Sequence, residues 1–131
     1  MSNDTTNSVI GIGAEVYALL KASEALTAIV GGRIWPMIAD EGATFPFVVY
    51  QRSGTTAAGD KDGSEERVTM TVTIAADNYR TSVEAAAAAL DALQNHTTAH
   101  VDDVSLDSAA EAWYNDTFLQ TLNFSIQWHR N

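Results

Sequence analysis

Apolar residues recur along this chain first at helical spacing and later at every second position, and the switch between the two periods divides it into elements. From Ser8 onward, Val9, Ile12, Val16, Leu19 and Leu20 form one stripe, which predicts an amphipathic helix ending near Ala22, with Gly11 and Gly13 weakening its first turn. Ser23 can cap a second, short helix that carries Glu24 at its positive end and turns Leu26, Ile29 and Val30 inward, and Gly31-Gly32 closes it. The chain's two prolines then punctuate extended runs: Arg33 to Ile38, interrupted by Pro36 and so suited to a sheet edge, and Phe47 to Arg52 after Pro46.

Strict alternation is clearest in Val68, Met70, Val72 and Ile74, which share one face, with Thr69, Thr71 and Thr73 on the other. The first face is read as core, the threonine face as wet or as an interface. Thr81-Ser82-Val83-Glu84 has the form of a capping box, and it predicts a helix running to about Asn95 with Val83, Ala86, Ala87, Leu90 and Leu93 as its inner stripe. Two long extended segments close the chain, Val101 to Tyr114 and Phe118 to His129. Asn115-Asp116 between them reads as a tight hairpin turn, and Leu122, Phe124, Ile126 and Trp128 alternate with polar residues. The sum is an α+β fold: one domain, a mainly antiparallel sheet with helices packed on one face. Residues 1–8, polar after Met1, are expected to be a disordered N-terminal tail before a domain spanning 9–131.

Residues Ser53 to Glu66 are poor in apolar side chains and longer than a hairpin turn requires, so they read from composition as a solvated loop between strands. Within it Asp60, Asp62, Gly63 and Glu65 resemble a calcium-binding loop. Aligned on Gly63, however, the first ligand position falls on Ala58 and the bidentate last one on Thr69, which leaves an acidic turn. His96 and His100 have a spacing that one helical face could use for a metal, with Asp102 and Asp103 nearby, but the helix should already be ending there. No metal site is therefore assigned.

Composition narrows the function by exclusion. Among 131 residues there are 17 acidic and 7 basic side chains, a formal charge of -10 that repels nucleic-acid phosphates and anionic lipid alike. The absence of cysteine removes disulfides, thiolate metal sites and a catalytic thiol. No serine sits in a nucleophile elbow, and neither Gly11-Ile12-Gly13 nor Gly31-Gly32 continues into a phosphate-binding loop. These absences leave catalysis without support, with carboxylate-pair chemistry still open, and neither sequence-specific nucleic-acid binding nor membrane insertion is expected. The polar N-terminus, with no apolar run behind it, suits a protein made and kept in the cytoplasm. Trp35 and Trp128 are expected in the core, whereas Trp113 with Tyr114, beside the turn, could equally anchor a protein interface.

Taken together, several stretches resemble the tail completion (tail-to-head joining, or tail terminator) family of tailed bacteriophages and prophages. They are Val16-Tyr17-Ala18-Leu19-Leu20, Ala25 to Pro36, Phe45-Pro46-Phe47-Val48-Val49-Tyr50-Gln51, Glu66 to Val72 before an alanine-rich helix, and the closing Leu122 to Trp128. The likeness runs from about Val9 to Trp128. It implies a small α+β subunit that forms a ring homo-oligomer, commonly a hexamer, at the end of the tail tube, ends its growth and makes the junction with the head. It implies no enzyme activity and no cofactor. Its implied partners are further copies of itself, the tail tube protein and a head-completion or connector protein, and its implied location is the virion, at the head-tail junction, after assembly in the host cytoplasm. The resemblance also gives the segment 53–66 a role, reaching toward a neighbouring subunit or the channel through Thr55, Thr56, Asp60, Lys61, Asp62, Glu65 and Glu66. The residues by themselves leave two other readings: a neck or head-closure adaptor, and a small cytoplasmic ligand-binding or regulatory domain.

Overall fold

A computed structural model of the chain describes residues 8–57 and 65–129. Ser8 accepts a hydrogen bond from the Ile10 amide through its hydroxyl at 3.2 Å and caps a single 3₁₀ turn, Val9–Ile12. Helix α1 (Gly13–Ala22) follows directly, so the two glycines that weaken the predicted first turn mark a change from 3₁₀ to α geometry. Ser23 caps α2 (Glu24–Val30) as expected, accepting from the Leu26 amide at 3.1 Å, and Gly31 ends it at φ 61°, a value glycine adopts without a Cβ clash.

The strands are β1 (Ile34–Pro36), β2 (Phe47–Ala57), β3 (Glu65–Ala76), β4 (Val101–Tyr114) and β5 (Thr117–His129), with helix α3 (Tyr79–Leu93) between β3 and β4. They form one sheet in the order β1-β2-β3-β5-β4. Every pairing is antiparallel except that of β1, which runs parallel to β2 at the edge, where its proline costs no ladder hydrogen bond. Asn115 and Asp116 both take positive φ, 50° and 57°, as a two-residue I′ turn requires, and set Tyr114 opposite Thr117 and Trp113 opposite Phe118.

One face of the sheet is covered. Val48, Val68, Met70, Val72, Ile74, Phe124, Ile126 and Trp128 lie beneath the helices and are essentially inaccessible to solvent. α3 rests on β3 and β5, and α1 rests on β1 and β2 and against α3. The contact surface of α3 is made of small residues, Ser82, Ala85, Ala86, Ala88, Ala89 and Ala92, ending in Leu93, which lets the helix backbone approach the sheet closely.

Four expectations are corrected by this geometry. Asn78, not Thr81, caps α3: its side chain accepts from the Thr81 amide at 2.9 Å, so the helix begins at Tyr79 and the apparent capping box lies inside its first turns. Val83 and Ala87 face solvent while Ala85 and Ala89 are buried, because a run of alanines carries no contrast by which to place the stripe. Trp35 is only half-buried and meets Phe47 edge-on at 5.8 Å on the open face of the sheet, since β1 pairs in register with Val48, Val49 and Tyr50 and Trp35 shares the face of Val49. Finally, much of the expected loop 53–66 is ladder: Thr55 pairs with Val68, Thr56 with Arg67 and Ala57 with Glu66. A register shift between Arg52 and Gly54 breaks the alternation there, which is why the strand reads as a loop.

The close helix-sheet contact yields a stability prediction. Ala89→Leu, at a fully buried position, should lower unfolding free energy by about 1–3 kcal/mol through overpacking, whereas Ala87→Leu on the exposed side should change it by less than about 0.5 kcal/mol. Urea denaturation of the two variants would read the difference, and equal losses would contradict the placement of the stripe.

Candidate functional site

The open face of the sheet is polar in its middle. The Thr71 hydroxyl donates to Asn123 Oδ1 at 2.9 Å and lies 3.1 Å from the Ser53 hydroxyl, and Asn123 Nδ2 donates to Ser108 Oγ at 3.1 Å. This row crosses β2, β3, β5 and β4, so the threonine face ties four strands together, and none of the described helices covers it. Arg67 adds a bond to Ser125 Oγ at 3.1 Å. Toward β1 the same face becomes apolar: Phe45 stacks on Phe47 at 5.6 Å, and Met37 and Ile38 beyond β1 are largely exposed.

β4 forms the far edge, and it is protected over only part of its length. The backbone between α3 and β4 covers its start, with the Asn95 amide donating to Val104 O and the Thr98 amide to Val101 O. Past Val104 no strand among the described residues pairs with its outer side. A second register shift between Leu106 and Ser108 and the carboxylates Asp107 and Glu111 interrupt this free edge.

At its far end the β4-β5 hairpin extends past the N-terminus of α3 and leaves a pocket of about 290 Å³ lined by Tyr79, Glu111, Ala112, Trp113, Phe118 and Gln120. Register explains the grouping: Glu111 faces Gln120 and Trp113 faces Phe118 across the hairpin, on the side that Leu122 occupies further along under the helices. Tyr79, in the first turn of α3, closes the third side, edge-on to Phe118 at 6.0 Å. Its hydroxyl and Gln120 Nε2 both donate to Glu111 Oε2 at 3.0 Å, and Gln120 Nε2 also donates to Ser82 Oγ at 3.2 Å. The bond to Glu111, reinforced by the negative charge, raises the Tyr79 hydroxyl above its ordinary 10.0.

Trp113 and Tyr114 are both strongly exposed, so Trp113 is not a core residue, but they point to opposite faces of the hairpin, and only Trp113 joins the pocket. Thr55 and Thr56 are exposed on β2, Glu66 is half-buried on β3, and Glu65 pairs with His129 at the start of the same strand; Asp60, Lys61 and Asp62 lie outside the described residues. The structure does not bring His96 and His100 together. His96 is exposed past the end of α3, whereas His100 is buried, stacks on Trp128 at 5.1 Å and places Nδ1 3.0 Å from Glu15 Oε2. Glu15 also accepts from the Thr98 hydroxyl and from the His100 amide, so this cluster pins the α3-β4 connection to α1. Among the described residues no group of three or more potential ligands could hold a metal ion, and no helix is long and apolar enough to cross a membrane.

Glu111, Phe118 and Gln120 are not singled out by the linear sequence, although the Asn115-Asp116 turn already implies that they face one another with Trp113. Tyr79 has no such signal, because its place depends on where α3 starts.

The family model of the tail completion protein gp17 matches residues 14–126. The chain belongs to this family of phage tail completion proteins. The match takes in all the α-helices and strands described above apart from the first residue of α1 and the last three of β5, and it begins after the 3₁₀ turn. No curated protein matches the chain at a significant level. Among solved structures, a chain of the virion of a native gene transfer agent (GTA) particle superposes with a TM-score of 0.84 at 22% identity, over 93% of this chain and 98% of that one. That similarity establishes a shared fold. Family membership makes the chain a phage-tail structural protein.

The pocket's internal bond is open to a direct check. Glu111→Leu removes both the acceptor and the charge, so the Tyr79 hydroxyl should titrate lower, back toward 10.0, when followed by NMR of the tyrosine ring carbons. An unchanged titration would show that Glu111 does not hold it.

Proposed function

We propose that this tail completion protein acts as a ring-forming subunit that caps the phage tail tube, stops its growth and joins the tail to the head. The observation that carries this reading is the family match over residues 14–126. The surfaces are consistent with it: an uncovered sheet face, a partly free β4 edge and exposed aromatics are what a subunit presents to neighbours, whereas a catalytic site would need converging reactive groups. Its partners are then copies of itself, the tail tube protein and a head-completion or connector protein. It works without enzyme activity or cofactor, in the virion, after assembly in the host cytoplasm.

The β2-β3 hairpin, rather than a loop, is the part we assign to the neighbouring subunit or the channel. Thr55, Thr56 and Glu66 sit on a paired ladder, which holds a contact in place at lower entropic cost than a disordered segment. A surplus of carboxylates suits a passage for DNA, because like charge keeps phosphate from adsorbing to the wall.

Native mass spectrometry over a range of concentrations, with and without the tail tube protein, tests the reading. A hexamer, or a larger complex once tube protein is added, is the expected result; concentration matters because ring subunits dissociate on dilution. A chain that stays monomeric at high concentration and ignores the tube protein would overturn it.

A further inference from the structure

We propose that the pocket between the α3 N-terminus and the tip of the β4-β5 hairpin receives an arginine side chain from a partner protein in the assembled particle. The inference rests on the assembly reading and adds to it the chemistry of one contact.

Three aromatic rings surround the pocket, Tyr79, Trp113 and Phe118, and a carboxylate, Glu111, lies among them. Aromatic faces attract a cation through their quadrupoles, and a carboxylate adds charge and a hydrogen-bond acceptor, so together they favour a flat, weakly hydrated guanidinium. The pocket is already organised for it. Tyr79 and Gln120 both donate to Oε2 of Glu111, which fixes the carboxylate, and Oε1 has no hydrogen-bond partner among the described residues. An incoming N–H donor would find that oxygen held in position, with Trp113, 61% exposed, beside it.

Charge on the surrounding surface points the same way. From residue 101 to 129 the hairpin carries Asp102, Asp103, Asp107, Glu111 and Asp116 and neither lysine nor arginine. Arg80, next to Tyr79 in sequence, does not line the pocket, and no lysine or arginine is among its lining residues. An arginine on a facing protein would be drawn by this field and then selected by the rings. Buried arginines and aromatics are the side chains that most often dominate protein interfaces.

The test uses the intact chain and two small probes, N-acetyl-arginine methylamide and its citrulline analogue, which keeps the shape but lacks the charge. In a titration followed by ¹⁵N-¹H NMR, arginine should shift signals of Tyr79, Glu111, the Trp113 indole and Gln120, and bind about fivefold or more tightly than citrulline. Glu111→Gln should abolish that preference while leaving the rest of the spectrum in place, and Trp113→Ala should weaken binding of both probes. Equal responses to arginine and citrulline, shifts confined to other regions, or a preference that survives in Glu111→Gln would each overturn the proposal. The assembly reading is scored separately by oligomer formation: a chain that assembles with tube protein yet shows no arginine preference loses this pocket but keeps its function.

Discussion

Burial of one face of β3 beneath α3 is the contact on which the other parts of the molecule depend. Val68, Met70, Val72 and Ile74 are fully buried, and their neighbours on β5, Phe124 and Ile126, extend the same floor. Because the opposing helix presents alanines, its own side of the contact is short, and the axis of α3 is held close to the strands. That placement puts Tyr79 at the sheet's end, and among the described residues nothing covers the hairpin tip or the opposite face of the sheet.

A sheet covered on one side normally turns a solvated face to water. Here that face is cross-linked by side chains: the Ser53, Thr71, Asn123 and Ser108 row joins four strands, so the open side keeps its shape without a second layer. A protein that works by contact gains from this arrangement, since a surface that is already ordered loses less entropy when a neighbour docks. The pair of buried His100 and half-buried Glu15 serves the same end from the other side. It fastens the chain between α3 and β4, and that segment in turn covers the first part of the β4 edge, leaving only the later part open.

How far the fold could be read from the chain depended on contrast between neighbouring residues. Val68 to Ile74 alternate cleanly with threonine, and β3 follows from them; Asn115-Asp116 specifies its turn because both residues tolerate positive φ. Where contrast fades, the reading slips. The alanines of α3 hide which side is inward, and the register shift after Arg52 disguises the continuation of β2 as a loop. The candidate site was legible only in halves. Trp113 stands out beside a turn, and hairpin pairing brings Phe118, Glu111 and Gln120 to it, but Tyr79 arrives through tertiary packing that no local pattern encodes.

Under the proposed function, the chain binds the end of the tail tube and stops its growth. Electron microscopy of tail tube protein polymerising with and without this chain shows whether it does. Tubes of arrested length carrying added density at one end are the predicted result; tubes that elongate equally in its presence, with the chain remaining free in solution, would contradict it.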